Sequence, residues 1–327
     1  MKNLIFVLVF TSSLFSVSAQ SNLLNAKTPD EIGKKTAAQL VSDNYKPLPY
    51  GYVHDRDVLM GKTVYEIIDL NERINFPLYY PIDTNNIGKD RRSLFDVLIK
   101  NIKNGKITEV YRDEYFNSKK TMKDMESSFM YIDTTDAGKE EVNNFRDLYF
   151  PKSAPVVVKK DKKGNIISQT GGGAPPVAKV LDPQFINKKE LGADQITGYK
   201  IKGFWYFDKR QSELKYRLLA ICPVAPEARD IGADNPDPIE LCWIYFPAVR
   251  DILHEANAFN DRNSAMPMSF DHILNSRRFN SVIYKEENVY GDRDIKAYMK
   301  DNAQNQLLES ERVKEKIRDF ESDMWNY

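Results

Sequence analysis

Cysteine and histidine are scarce in this sequence of 327 residues, which holds two cysteines and three histidines. Neither a zinc-type ligand spacing nor a Cys-x-x-Cys pair is present, so the sequence predicts no metal centre and no cofactor. Basic and acidic residues balance at 47 each. Because a chain without net positive charge has no electrostatic attraction for phosphate backbones, we expect no nucleic-acid partner.

Catalytic motifs are missing as well. No Gly-x-Ser-x-Gly motif occurs, and none of His54, His254 and His272 has a serine or cysteine nucleophile at a recognisable spacing. Asp113 and Glu114 are adjacent acids, but in so charged a region such a pair usually belongs to a solvated surface. We therefore predict no catalytic residues. An exported hydrolase and a periplasmic adaptor or chaperone remain the alternative functions.

Long apolar runs are confined to the amino terminus. Lys2 precedes "LIFVLVF", and small residues close the segment at Val17, Ser18 and Ala19, which is the pattern of a secretory signal peptide. We expect cleavage after Ala19, no lipid on the new terminus because no cysteine lies there, and a soluble exported chain. Since no later stretch is apolar enough to cross a bilayer, we also expect no direct membrane insertion.

A proline- and tyrosine-rich stretch follows a polar segment, 20–44, that we expect to be mobile. "YKPLPYGYV" starts at Tyr45 and favours an extended conformation, because its prolines and glycine oppose a helix. Rings on an extended segment must pack on something else. Tyr45, Pro49, Tyr50 and Tyr52 are thus candidate partner-binding residues.

The next segment shows apolar residues at helical spacing. Met60, Val64, Ile67 and Ile74 predict an amphipathic helix that starts after Asp57 and stops before the proline of "NFPLYYP". In that exit stretch we expect Phe76 to pack back on the helix as its most buried ring. Tyr79 and Tyr80 should then point to different sides of an extended segment. One of them should be buried and the other should contact a partner, so each is a candidate partner-binding residue.

The remaining turn residues, helix caps and helix breakers predict an α+β fold with five regions. After the signal peptide (1–19) and the mobile segment (20–44) come a mainly helical region (45–151), a charged hairpin with a glycine- and proline-rich loop (152–183), and a small antiparallel sheet with flanking helices (184–327). A second helix should begin after Ser93, "KITEVYRD" should form a strand, and a long helix should end the chain. Strands are predicted in "ITGYKIKGFWYF", "ELKYRLLAICPV", "IELCWIYF" and "NSVIYKEE".

Cys222 ends one predicted strand and Cys242 lies in the next. Adjacent strands can bring Cys222 and Cys242 within disulfide distance, and an oxidising compartment would allow the bond. Two buried thiols that fill apolar space are an equal alternative.

Several blocks of the chain resemble the GldN/PorN family of exported gliding-motility and type IX secretion proteins of the Bacteroidota. In order, they are "PLPYGYVHDRDVLMGKTVYEIIDLNERINFPLYYP", "FDKRQSELKYRLLAICPV", "CWIYFPAVRDIL", "FNSVIYKEENVY" and "LLESERVKEKIRDFESDMWNY". Together they span nearly all of the predicted mature chain. The two cysteines and the glycine-rich insertion depart from the usual pattern of the family.

The resemblance implies a structural role rather than catalysis. It implies a periplasmic protein that binds an outer-membrane lipoprotein of the GldK/PorK type, forms a ring of several copies with it, and connects to the inner-membrane GldL/GldM motor proteins. A protein of this kind would meet the outer membrane through its partner.

Overall fold

The computed structural model describes residue 28 and residues 46–84, 91–150, 157–160, 166–170, 181–233, 236–260, 268–300 and 302–325. The chain divides into two units. Met1–Met125, Gly192–Pro226 and Asp237–Tyr327 belong to the first, and Glu126–Leu191 and Glu227–Pro236 to the second. The predicted signal peptide, the predicted mobile segment apart from residue 28, Tyr45 and the glycine-rich loop lie outside the described residues.

An antiparallel sheet of six strands organises the first unit, in the order β12-β1-β6-β7-β8 with β9 also paired to β7. Helices accompany it, so the predicted α+β fold is confirmed. The strands of this unit are β1 (Val58–Asp69), β6 (Gly198–Asp208), β7 (Glu213–Ala225), β8 (Ile239–Glu240), β9 (Ile244–Tyr245), β10 (Asn257–Ala258), β11 (Met268–Ser269) and β12 (Val282–Glu286).

The helix predicted after Asp57 is wrong, because Val58–Asp69 is β1, a 12-residue strand inside the sheet. It pairs with β6 on one side and with β12 on the other. Thr63, Val64 and Tyr65 are all buried, since both faces of the strand are covered. A strand covered on both faces loses the alternation of apolar and polar residues, and its apolar positions then also match helical spacing.

Serine side chains cap the first turns of two helices in the first unit. The Ser93 hydroxyl accepts a hydrogen bond from Asp96 N at 3.2 Å, and Ser269 does the same for His272 N. The helix after Ser93 was predicted, and so was the long helix that ends the chain. The helices of this unit are α1 (Phe76–Tyr79), α2 (Leu94–Lys103), α6 (Phe246–Glu255), α7 (Phe270–Asn275), α8 (Ile295–Tyr298) and α9 (Ala303–Trp325). A further helix, α3 (Met122–Phe129), begins in the first unit and ends in the second.

The carboxyl-terminal helix α9 covers one face of the sheet and one of its edges. Val313 and Ile317 pack with Val64 and Ile283 in a buried apolar cluster. On the edge strand β12, Ile283 N donates to the Ser310 hydroxyl at 2.9 Å. Lys314, one turn further along α9, donates to Ser281 O at 3.1 Å. These hydrogen bonds satisfy backbone groups that an edge strand could otherwise pair with another chain.

A buried ion pair joins the sheet to the turn after α7. Glu66 on β1 is fully buried and accepts two hydrogen bonds from the Arg277 guanidinium, at 3.0 and 2.7 Å. The Ser281 hydroxyl donates to the same carboxylate. Arg277 lies over the Tyr216 ring at 4.2 Å. Removing one partner of such a buried pair leaves the other charge buried without a counter-charge. This lowers the free energy of unfolding more than the loss of a surface ion pair would.

Two strand predictions of the first unit need correction. "KITEVYRD" forms only isolated bridges, in which Tyr111 exchanges backbone hydrogen bonds with Trp243 at 2.8 and 2.9 Å. The following loop packs on the sheet, where Lys202 donates to Glu114 O at 3.0 Å and Lys285 pairs with the Glu114 carboxylate. "IELCWIYF" is split into β8 and β9, because its central residues Leu241 and Trp243 bond to Pro223 and Tyr111.

The second unit is smaller. Its strands β2 (Met130–Thr134) and β5 (Ile186–Glu190) pair antiparallel, and β3 (Val157–Lys160) pairs with β4 (Ile166–Thr170). The last pairing confirms the charged hairpin. Its helices α4 (Asp136–Asn144) and α5 (Arg146–Tyr149) lie within the region 45–151, which was predicted to be mainly helical.

Candidate partner-binding surfaces

The segment Lys46–Val53, called the strap here, is extended and without regular secondary structure. One aromatic side chain, Tyr50, anchors it to the protein. The Tyr50 hydroxyl donates to Asn275 Oδ1 at 2.7 Å, and Arg217 donates to the neighbouring Gly51 O at 3.0 Å. The strap therefore docks on the protein's own surface through a few specific contacts.

Two guanidinium groups hold the Tyr50 ring. The Cζ atom of Arg250 lies 4.1 Å from the ring centroid and that of Arg217 lies 4.7 Å away. Arg250 is itself buried and fixed by Asp271 through hydrogen bonds of 2.8 and 3.1 Å. Burial raises the pKa of the Tyr50 hydroxyl to about 12. The two cations face the ring, an arrangement that holds the aromatic side chain through cation–π contacts.

The structure separates the candidate residues of the strap. Tyr50 packs on the protein's own chain, so it serves first as an internal anchor. Tyr52 is 80% exposed, its neighbour Leu48 is 81% exposed, and Pro49 is exposed too. The exposed side of the strap, made of Leu48, Pro49 and Tyr52, is what remains available to a partner.

A second surface, called the aromatic cluster, is formed by Ile74, Phe76, Tyr79 and Tyr80. The Tyr80 ring lies 5.3 Å from the Phe76 ring and 4.9 Å from the Tyr79 ring, both in edge-to-face contacts. Ile74 is 57% exposed and Tyr80 is 43% exposed. The hydroxyl of Tyr79 donates to Asp194 O at 3.4 Å. The rings thus hold one another in place while part of each faces solvent.

Two expectations for this stretch are wrong. It is not extended, because Phe76–Tyr79 forms the short helix α1 with Pro77 in its first turn, where proline is tolerated. Phe76 is also not the buried anchor, since it is 36% exposed whereas Leu78 is 1% exposed and Asn75 is fully buried. The Asn75 side chain bonds the backbone of Asn280 twice: its Oδ1 accepts from Asn280 N at 2.9 Å and its Nδ2 donates to Asn280 O at 3.1 Å.

Sequence reasoning missed a third surface, called the Tyr-Arg-Tyr stack. Arg293 lies between Tyr290 and Tyr298, with its Cζ atom 5.5 and 4.8 Å from the two ring centroids. Tyr290 is 75% exposed. Leu307 and Leu308, on the helix that Tyr298 contacts through Glu309, are also exposed. The spacing of tyrosine and arginine gave no periodic signal, although this pair of residue types is common in binding hot spots.

The backbone segments that carry the two cysteines are hydrogen-bonded to each other. Leu241 N, next to Cys242, donates to Pro223 O, next to Cys222, at 3.0 Å. Both Cys222 and Cys242 are free thiols and both are buried. Burial raises the pKa of both thiols, to about 12 for Cys242. The structure thus has the buried-thiol alternative rather than the disulfide.

Metal-ligating side chains do not gather in the described part of the chain. Within it, no group of three or more His, Cys, Asp or Glu residues could hold a metal ion. His54 stacks edge-to-face on Tyr52 at 4.7 Å, and His272 lies in the first turn of α7. The helices of the described ranges include none long and apolar enough to span a membrane.

The fold is that of a mixed α+β protein that leaves several aromatic surfaces exposed. The chain matches the model of the family described as gliding motility associated protein GldN over residues 53–326, and it belongs to that family. The family is one of gliding-motility components and is not a known enzyme family. No curated protein matches the chain.

Proposed function

We propose that this protein is a non-enzymatic structural subunit of the gliding-motility and type IX secretion machinery in the periplasm. In this role several copies form a ring with an outer-membrane lipoprotein of the GldK/PorK type and link it to GldL/GldM-type motor proteins of the inner membrane. Membership of the GldN family over residues 53–326 is the observation that carries the proposal.

The exposed surfaces support a binding role. The strap, the aromatic cluster and the Tyr-Arg-Tyr stack each leave tyrosine or another large apolar side chain in solvent. Tyr and Arg are enriched at protein interfaces because they combine a large contact area with a polar end. Peripheral attachment to the outer membrane would then come from the lipoprotein rather than from this chain.

The test is purification of the tagged protein from gently solubilised envelope, followed by mass spectrometry of what is recovered with it. The proposal expects stable recovery of a GldK/PorK-type lipoprotein. Recovery of the protein as a free monomer would refute it and favour an exported hydrolase, which can be assayed on envelope polysaccharide. Transient association with many exported proteins would instead favour an adaptor or chaperone.

One variant of each of the three surfaces then identifies the binding face. Leu48→Ser with Tyr52→Ser alters the strap, Phe76→Ser with Tyr80→Ser alters the aromatic cluster, and Tyr290→Ser alters the stack. Because these side chains are substantially exposed, we expect the melting temperature to change little. Loss of the lipoprotein from one variant, with the other two as controls, assigns that surface to the contact.

A further inference from the structure

A cleft of about 280 Å³ lies between the end of the strap and the β6–β7 turn. Its lining residues are Tyr52, Val53, Asp57, Asp208, Arg210 and Gln211. The register pairs Val58 with Asp208, and Lys209 N donates to Asp57 O at 2.8 Å. The strand pairing therefore brings the two aspartates to neighbouring positions.

Both carboxylates are largely withdrawn from water. Asp57 is 9% exposed and Asp208 is 6% exposed. Asp208 stabilises the β6–β7 turn, because its Oδ1 accepts a hydrogen bond from Arg210 N at 2.9 Å. In contrast, Asp57 Oδ2 is buried and has no hydrogen-bond partner among the described residues. A buried carboxylate oxygen without a donor costs free energy that a suitable guest would recover.

The cations of the protein itself do not supply that donor. Arg210 lies 4.0 Å from Asp57 Oδ2 and Arg56 lies 3.8 Å from Asp57 Oδ1, and their side chains are 67% and 81% exposed. Lys215 lies 3.8 Å from Asp208 Oδ2. These separations exceed hydrogen-bond distance, and exposed ion pairs contribute little. An incoming donor can therefore displace Arg210 into solvent at small cost.

We propose that this cleft binds a guanidinium group, namely an arginine side chain of a partner protein. Two carboxylates are too few for Ca²⁺, which takes six to eight oxygen ligands. A guanidinium can instead donate to Asp57 Oδ2 while its plane rests on the Tyr52 ring, which is 80% exposed. That the arginine comes from a protein partner rests on the proposed function, whereas the cation site stands on the cleft alone.

The site is tested on the purified full chain with acetyl-arginine methylamide as the probe and acetyl-citrulline methylamide as its neutral isostere. NMR shift changes at the strap and the β6–β7 turn report binding. The proposal expects saturable binding of the arginine probe and none of the citrulline probe. Equal binding of both probes, or saturable binding of neither, overturns it, whatever the lipoprotein pull-down shows.

Three variants separate binding from folding. Asp57→Asn should weaken the arginine probe by at least about tenfold, the loss expected for a charge-assisted hydrogen bond, without lowering the unfolding midpoint. Asp55→Asn, in the same turn but exposed, is the matched control and should bind like the wild type. Arg210→Gln removes a competing cation and should bind at least as tightly. If Asp57→Asn destabilises the fold and leaves probe binding intact, Asp57 is structural and the proposal fails.

Discussion

Tyr50 should carry most of the free energy that holds the strap to the protein. Tyr50→Ala removes the hydrogen bond to Asn275, about 1 kcal/mol, and two contacts with guanidinium groups, about 0.5–1 kcal/mol each. Release of the strap regains chain entropy and offsets part of this loss. We expect a net decrease of about 2 kcal/mol in the free energy that keeps the strap docked.

Two further variants separate the ring from the hydroxyl and the anchor from its neighbour. Tyr50→Phe keeps the ring between Arg217 and Arg250 and loses only the hydrogen bond, so it should cost about 1 kcal/mol. Tyr52→Ala removes a side chain that is 80% exposed and should stay within about 0.5 kcal/mol of the wild type.

The measurement combines urea unfolding with hydrogen exchange at the strap, because a docked segment can open without global unfolding. In Tyr50→Ala we expect faster exchange at Gly51 even if the urea midpoint shifts little. Equal effects of Tyr50→Ala and Tyr52→Ala would refute the reasoning. So would a Tyr50→Ala variant with unchanged exchange and an unchanged midpoint.

The same anchor predicts a dependence on alkaline pH. Burial raises the pKa of Tyr50 from 10.0 to about 12. A group whose folded pKa is raised contributes its stability below the unfolded pKa and loses it as pH rises through the folded value. The wild type should therefore lose strap protection between about pH 10 and pH 12. The Tyr50→Phe variant should lack that loss, measured by the same exchange experiment.

Three other predictions follow from the buried side chains. Leu78→Ala should cost about 2–5 kcal/mol in urea unfolding and Phe76→Ala clearly less, because Leu78 is 1% exposed; the reverse order would restore Phe76 as the anchor. Glu66→Gln should cost about 3 kcal/mol, since its arginine partner then lacks a counter-charge, and a neutral result would contradict a paired state. Cys222 and Cys242 should resist alkylation in the folded protein and both react after unfolding without reductant; mass spectrometry that finds neither alkylated would reveal a disulfide.

Local signals in the sequence determined much of the fold. Ser93 and Ser269 began helices where their hydroxyls could cap the first turn. The alternation in β6 and β7 predicted two paired strands, because one residue in two meets each face of a sheet. Signals of this kind act within a few residues, so they can be recognised in a single sequence.

Long-range contacts decided what the sequence could not predict. β1 was taken for a helix because its burial depends on β6 and β12, which lie far along the chain. The anchor role of Tyr50 depends on Asn275, which is 225 residues away. No local pattern distinguishes a tyrosine that meets its own chain from one that awaits a partner. The aromatic composition of the strap predicted that its rings pack on something. Only the three-dimensional structure shows that Tyr50 packs on its own chain and that Tyr52 is exposed.

The positions of the exposed surfaces bear on how copies could assemble. The aromatic cluster follows Asn75, which bonds Asn280 just before β12 begins, whereas Tyr290 comes shortly after β12 ends. A strand of five residues spans about 17 Å, so these two surfaces lie toward opposite ends of β12. Head-to-tail rings need two different patches on each subunit, whereas a twofold dimer can use one patch twice. If these surfaces join copies, the Tyr80 and Tyr290 variants should each reduce self-association and should form heterodimers when mixed, because each retains the patch that the other lacks.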